Sequence, residues 1–175
     1  WVNSLQDDYT ISAWIITNDI DGGAQGIVMW GDSANYERRS LIIYNGGSGT
    51  DWTLTASTYG ENPQGSTTLE ENVLYHVALT VDKGTLAWKL YLDGVLDGSG
   101  TFSNALVAFT GTNLYIGKTA AGEYHEGFID EVSIWNDNLS SAEISKIYND
   151  GKACNLENHS KYSNLLSWWR MGEEM

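Results

Sequence analysis

Two neighbouring runs of strict apolar alternation constrain this chain more than anything else in it. Val73, Tyr75, Val77, Leu79 and Val81 fall on one face of a strand, and Leu86, Trp88, Leu90 and Leu92 on the matching face of the next. Asp82-Lys83-Gly84 turns between them, and Asp93-Gly94 is a two-residue hairpin signal directly after. A chain built on such hairpins makes antiparallel sheet, and each apolar face must be covered by a second layer.

The rest of the sequence repeats the theme. YTISAWIIT at 9–17 alternates and is apolar enough on both sides to be buried on both. Further strands are expected at 27–30, 38–45, 52–58 and 113–118, with 101–109 ambiguous between a short strand and a loop. YGENPQGSTTLEEN, 59–72, holds the only proline and reads as a long surface loop, and Asp97-Gly98 as a further turn. LLSWWRM, in the last dozen residues, reads as a final strand beside the N-terminal one.

The stretch from Gly127 to Gly151 changes period midway. Phe128, Asp130, Val132 and Ile134 share one strand face, and Ile129, Glu131, Ser133 and Trp135 the other. Val132 and Ile134 mark the first as a core face. Asp130 is therefore expected to point inwards, where a carboxylate needs hydrogen-bond donors or a cation. A helix follows. Ser140 and Glu143 stand at capping-box spacing, Leu139 and Ile144 at the positions of a hydrophobic staple, and Gly151 supplies the left-handed stop. The expected fold is all-β, an antiparallel two-sheet jelly-roll sandwich with one short helix near the C-terminus.

The order of these segments is itself informative. Gly-x-Ile-Asp-Glu-Val, an aromatic-ended strand, Leu-Ser-x-x-Glu-Ile and Asn-Asp-Gly follow DDYTISAWI, YHVALTVD, LYLDG and LYIGK in sequence. Together they resemble the laminin-G-like, concanavalin A-like jelly-roll domains, from about Asp7 to about Gly151. One laminin-G-like domain over residues 1–175 is expected, and the ends at Trp1 and Met175 read as those of a domain excised from a longer chain. It implies a non-catalytic recognition module, carbohydrate-binding, of an extracellular, cell-surface or virion-associated protein. The alternative is a structural or adhesive module that binds neighbouring domains of the same chain and has no sugar site. Domains of this kind often hold calcium, which takes six to eight oxygen ligands. The expected ligands are Asp130 with Asp7 or Asp8, which meet if the first strand lies beside the one at 127–136.

Composition excludes several other classes. The net charge is −14 from 23 acidic and nine basic residues, which repels nucleic acid and anionic membranes. No apolar run approaches the roughly 20 residues of a membrane-spanning helix. Cys154 is the only cysteine, so no internal disulfide forms. Glucanases of similar architecture place a Glu-x-Asp-x-x-Glu run on one strand, with carboxyls about 5–5.5 Å apart for retention. This chain has no such run, no Gly-x-Ser-x-Gly elbow and no phosphate loop, so no enzyme activity is expected.

Saccharide recognition needs aromatic platforms with polar neighbours. Trp14 and Trp88 are better used as core. Tyr36, Tyr59 and Tyr124 lie in loop sequence, where the core has less call on them, and Asp32 is an acidic neighbour. Trp30, Trp52 and Trp135 are weaker candidates of the same kind.

Overall fold

The structure is a computed structural model and describes residues 7–20, 23–31, 38–47, 51–58, 60–107 and 113–172. Eleven strands are described: β1 Tyr9–Thr17, β2 Gln25–Trp30, β3 Arg39–Tyr44, β4 Thr53–Thr58, β5 Gln64–Thr68, β6 Leu74–Asp82, β7 Ala87–Leu92, β8 Val95–Thr101, β9 Leu114–Ile116, β10 Gly127–Trp135 and β11 Leu165–Trp169. One helix, α1, covers Ser141–Tyr148. The strands form a six-stranded sheet, β11-β10-β1-β6-β7-β8, and a five-stranded sheet, β5-β4-β3-β2-β9. Neighbouring strands pair antiparallel, and the two sheets close as a jelly-roll sandwich.

The alternating runs do what their period requires. Leu79 pairs with Leu90 and Val81 with Trp88, and all four point into the core with Ile11, Ala13 and Ile15 of β1. Leu41, Ile43, Leu54 and Ala56 answer from the five-stranded sheet. Asp93 and Gly94 have φ of 48° and 75°, the left-handed pair that a two-residue hairpin needs.

A second apolar cluster lies on the outer face of the six-stranded sheet. There α1 packs Ile144 and Ile147 onto Ala78, Tyr91 and Trp135, with Leu139 and Leu156 beside them. The Glu143 carboxylate accepts hydrogen bonds from the Ser140 backbone N–H and hydroxyl, at 2.8 and 2.7 Å. The left-handed reversal begins at Asn149, φ 49°, and runs through Asp150 to Gly151, so the helix ends at Tyr148, three residues before the glycine.

Four expectations need correction. The stretch taken as a long loop at 59–72 contains β5, an edge strand of Gln, Gly, Ser and Thr with no apolar alternation to reveal it. Asp97-Gly98 is no turn: it lies inside β8, where the β7–β8 register shifts. Asp97 Oδ1 accepts from the Thr67 N–H and Oγ1 and from Ser66 Oγ, so it ties β8 to β5 and joins the two sheets at one edge. The terminal strand β11 pairs with β10, so β10 separates it from β1.

The fourth correction concerns Asp130. Ser12 pairs with Ser133, but Trp14 pairs with Asp130, so β10 advances three residues while β1 advances two. Glu131 absorbs the extra residue in a bulge, at φ 51°. Beyond the bulge the faces exchange. Ile129 turns to the core with Val132 and Ile134, and Asp130 goes to the outer face opposite Trp14.

Candidate functional site

Strand register sorts the connections between the two ends of the sandwich. The segment 117–126 lies at one end, beside the start of β2 and the end of β1. The start of β3, the end of β4 and the segment 102–107 lie at the other. Asp32, Tyr36 and Tyr59 lie outside the described residues. The described residues flanking them, Gly31, Arg38, Thr58 and Gly60, belong to the end opposite Tyr124.

Tyr124 stands on a rigid hairpin. Lys118 and Tyr124 form a bridge, and the turn between them is closed by the Thr119 N–H to Glu123 O at 2.9 Å and the Gly122 N–H to Thr119 O at 3.1 Å. Thr119 Oγ1 also donates to the Glu123 carboxylate at 2.8 Å. The hairpin lies directly on β2, and Gly26 makes this approach feasible: a Cβ there would come 2.3 Å from the Lys118 carbonyl carbon. Gln25 fastens the far side, accepting from the Glu126 N–H at 3.1 Å through Oε1 and donating to Asp19 O through Nε2. His125 Nε2 lies 3.1 Å from Ile16 O, and an acceptor there requires the proton on Nε2. Burial pushes the His125 pKa down, against the opposing pull of its hydrogen bonds, so the ring is neutral at pH 7.

The result is a cleft of about 280 Å³ lined by Ala24, Gln25, Gly122, Glu123, Tyr124 and Glu126. Tyr124 is 64% exposed. The Lys118 ammonium sits over the Tyr115 ring, 5.0 Å from its centre, and over one face of the Tyr124 ring at 5.9 Å, which steadies that ring. An exposed, held aromatic face beside two carboxylates offers an apolar platform with strong hydrogen-bond acceptors at its edge. Of the weaker aromatic candidates, Trp30, Trp52 and Trp135 are buried core residues.

The structure does not bring the acidic candidates together. β1 and β10 are neighbours, as a shared ion would need, but they run antiparallel. Asp8 precedes β1 at one end, and Asp130 faces Trp14 six residues further on, about 20 Å away at strand rise. Both carboxylates already have backbone donors. Asp8 accepts from the Lys83 N–H at 2.9 Å, and Asp130 from the N–H groups of Glu131 and Met171 at 2.7 and 2.8 Å. Asp7 is exposed at the Asp8 end. These residues do not fit one calcium ion, and among the described residues no group of three or more acidic, His or Cys side chains is placed to hold a metal. Glu131, beside Asp130, takes the Trp168 indole N–H and an ion pair with Arg170 at 3.4 Å. Burial, then the Glu131 charge, pushes the Cys154 thiol pKa up, the condition of an inert structural cysteine.

The two antiparallel sheets define a jelly-roll sandwich. The profile of the concanavalin A-like lectin/glucanases superfamily matches residues 2–145, and the chain belongs to that superfamily. No curated protein sequence matches it. Among solved structures it is similar to a candidate carbohydrate-binding protein of Bacteroides ovatus, at 21% identity and a TM-score of 0.72. That match covers 97% of this chain and 47% of the other, so the chain spans about half of that protein. It is also similar to domain 4 of AbnA, a GH43 extracellular arabinanase of Geobacillus stearothermophilus, in complex with arabinotriose. There the identity is 20% and the TM-score 0.62, over 81% of this chain and 66% of that one. The Ruminococcus gnavus IT-sialidase CBM40 bound to α2,3-sialyllactose is similar at 20% identity and a TM-score of 0.63, over 81% and 82% of the two chains. At these identities the likeness establishes the fold.

Proposed function

We propose that this domain is a non-catalytic carbohydrate-binding module of a larger extracellular, cell-surface or virion-associated protein, and that it binds saccharide against Tyr124. The observation that carries the reading is the exposed Tyr124 ring, fixed on its hairpin beside a cleft with the Glu123 and Glu126 carboxylates. A sugar ring presents a C–H face to an aromatic platform and hydroxyl donors to carboxylate acceptors. The saccharides bound by the Geobacillus and Ruminococcus domains support the ligand class.

Glycoside hydrolysis needs one carboxyl with a raised pKa as general acid. Among the described residues, the carboxyls that shift do so the other way. Burial pushes Glu61 and Glu143 up, yet hydrogen bonds from Ser103 and Asn104, and from Ser140, carry both below the usual range. Asp82 is held down by the Thr85 backbone N–H. Since Asp7, Asp8 and Asp130 do not fit a shared ion, no part of this proposal runs through calcium.

The test is a glycan array probed with the wild-type domain and with Tyr124→Ala. Loss of one stacking face is worth about 1.4 kcal/mol, roughly a tenfold drop in affinity. Retention of full binding by a folded Tyr124→Ala refutes the assignment.

One observation favours a second reading, an adhesive module that packs against neighbouring domains. Leu74, Ile16 and Phe128 pair side by side across β6, β1 and β10, with Leu74 52% and Phe128 66% exposed. Concentration-dependent association that Phe128→Ser abolishes, with an empty glycan array, selects that reading.

A further inference from the structure

The other end of the sandwich carries a cleft of about 330 Å³, larger than the one beside Tyr124. Arg38, Thr58 and Gly60 form one wall, and Asn104, Leu106 and Val107 the other. The second wall is irregular chain, yet it is tied down at four points. The Phe102 N–H donates to Leu86 O at 3.0 Å. The N–H groups of Ser103 and Asn104 donate to the two Glu61 carboxylate oxygens, at 2.9 and 2.7 Å. Arg39, only 2% exposed, donates from Nη2 to Val107 O at 2.6 Å.

This is an unusual use of charge. Burying an arginine is costly unless its donors are satisfied, and here one of them holds a loop carbonyl at the rim of a cleft. Glu61 likewise directs both oxygens to loop N–H groups. With Phe102 buried beneath and Leu106 only 8% exposed, the wall is fixed before any ligand arrives, which lowers the ordering cost of binding. The surface it presents is mixed. Arg38, whose guanidinium donates to Thr58 O at 2.7 Å, and Asn104 stand beside the apolar Leu106 and Val107, the latter 40% exposed. Among the described lining residues there is no carboxylate. Planar donors and acceptors next to apolar surface suit the vicinal hydroxyls and C–H faces of a sugar. The volume lies at the small end of ligand pockets, enough for one or two sugar units.

We propose that this cleft is a second saccharide site, independent of the one at Tyr124, and that the domain is bivalent. The inference rests on the carbohydrate-binding reading. The ends of a nine-residue strand lie about 30 Å apart, so one short oligosaccharide cannot reach both clefts. Only a long polysaccharide, or two chains that the domain then cross-links, engages both.

The test is an amide chemical-shift titration of the whole 175-residue chain with arabinotriose and, separately, with α2,3-sialyllactose. With at least one of them, two sets of amides are expected to move with separate saturation, one at 122–126 and one at Thr58, Gly60 and 103–107. Asn104→Ala should weaken only the second set, by about tenfold, and Tyr124→Ala only the first. Movement confined to 122–126, or a second set that disappears in Tyr124→Ala, overturns the inference and leaves the Tyr124 site standing. Movement in neither set, with either sugar, overturns both.

Discussion

Substituting His76 should change how stability depends on pH. His76 is fully buried under the helix side of the six-stranded sheet. The Trp14 ring lies 5.2 Å away edge-on and the Tyr148 ring 6.0 Å away, and neither imidazole nitrogen finds a partner among the described residues. Burial pushes its pKa down to about 4. In the unfolded chain the group titrates near 6.5, so the unfolded state takes up a proton first as the pH falls. The stability contribution is therefore complete above about pH 6.5 and is lost on acidification towards pH 4. The slope is about 1.4 kcal/mol per pH unit, about 3 kcal/mol across the window. His76→Phe keeps an aromatic ring against Trp14 and Tyr148 and removes the titration. Urea unfolding followed by tryptophan fluorescence, from pH 4.5 to 7.5, measures both proteins. The variant is expected to gain on the wild type steadily as the pH falls. The downshifted carboxyls of Glu61, Asp82 and Glu143, and His125, are common to both proteins and cancel in the difference. A difference that stays constant with pH refutes the reasoning.

Asp97→Ala removes the acceptor that joins β8 to β5 and leaves the Thr67 N–H unpaired; a loss of about 2 kcal/mol is expected in the urea midpoint. Gly26→Ala places a methyl against the Lys118 backbone; it should cost about 2 kcal/mol or more by thermal unfolding and displace the Tyr124 hairpin, weakening saccharide binding as well. Asp130→Asn keeps an oxygen for the N–H groups of Glu131 and Met171 and should unfold within about 0.5 kcal/mol of wild type, whereas Asp130→Ala should lose about 1 kcal/mol. A large loss in Asp130→Asn would show that the negative charge itself matters there.

The architecture was legible wherever period carried it. β1, β6 and β7 alternate, Asp93-Gly94 announces its own hairpin, and Leu139 with Ile144 brackets the start of α1. Features without a periodic signature were not. β5 is polar and exposed at a sheet edge, so pairing alone makes it a strand. The bulge at Glu131 has no glycine to mark it, and one extra residue moved Asp130 to the other face. For the candidate site, the exposure of Tyr124 could be anticipated because an aromatic in loop sequence has no core to enter. The second cleft could not. Its wall is ordinary loop sequence, and its rigidity comes from Arg39 and Glu61, which are distant in the chain and look like surface charges.

The central claim is that saccharide sits on the Tyr124 face. A crystal of the domain soaked with the strongest glycan from the array examines that directly. The account predicts a sugar ring lying flat on Tyr124, with carbon atoms about 4 Å from the aromatic plane and hydroxyls directed to Glu123 or Glu126. A sugar bound elsewhere on the sandwich, with Tyr124 bare, would contradict it.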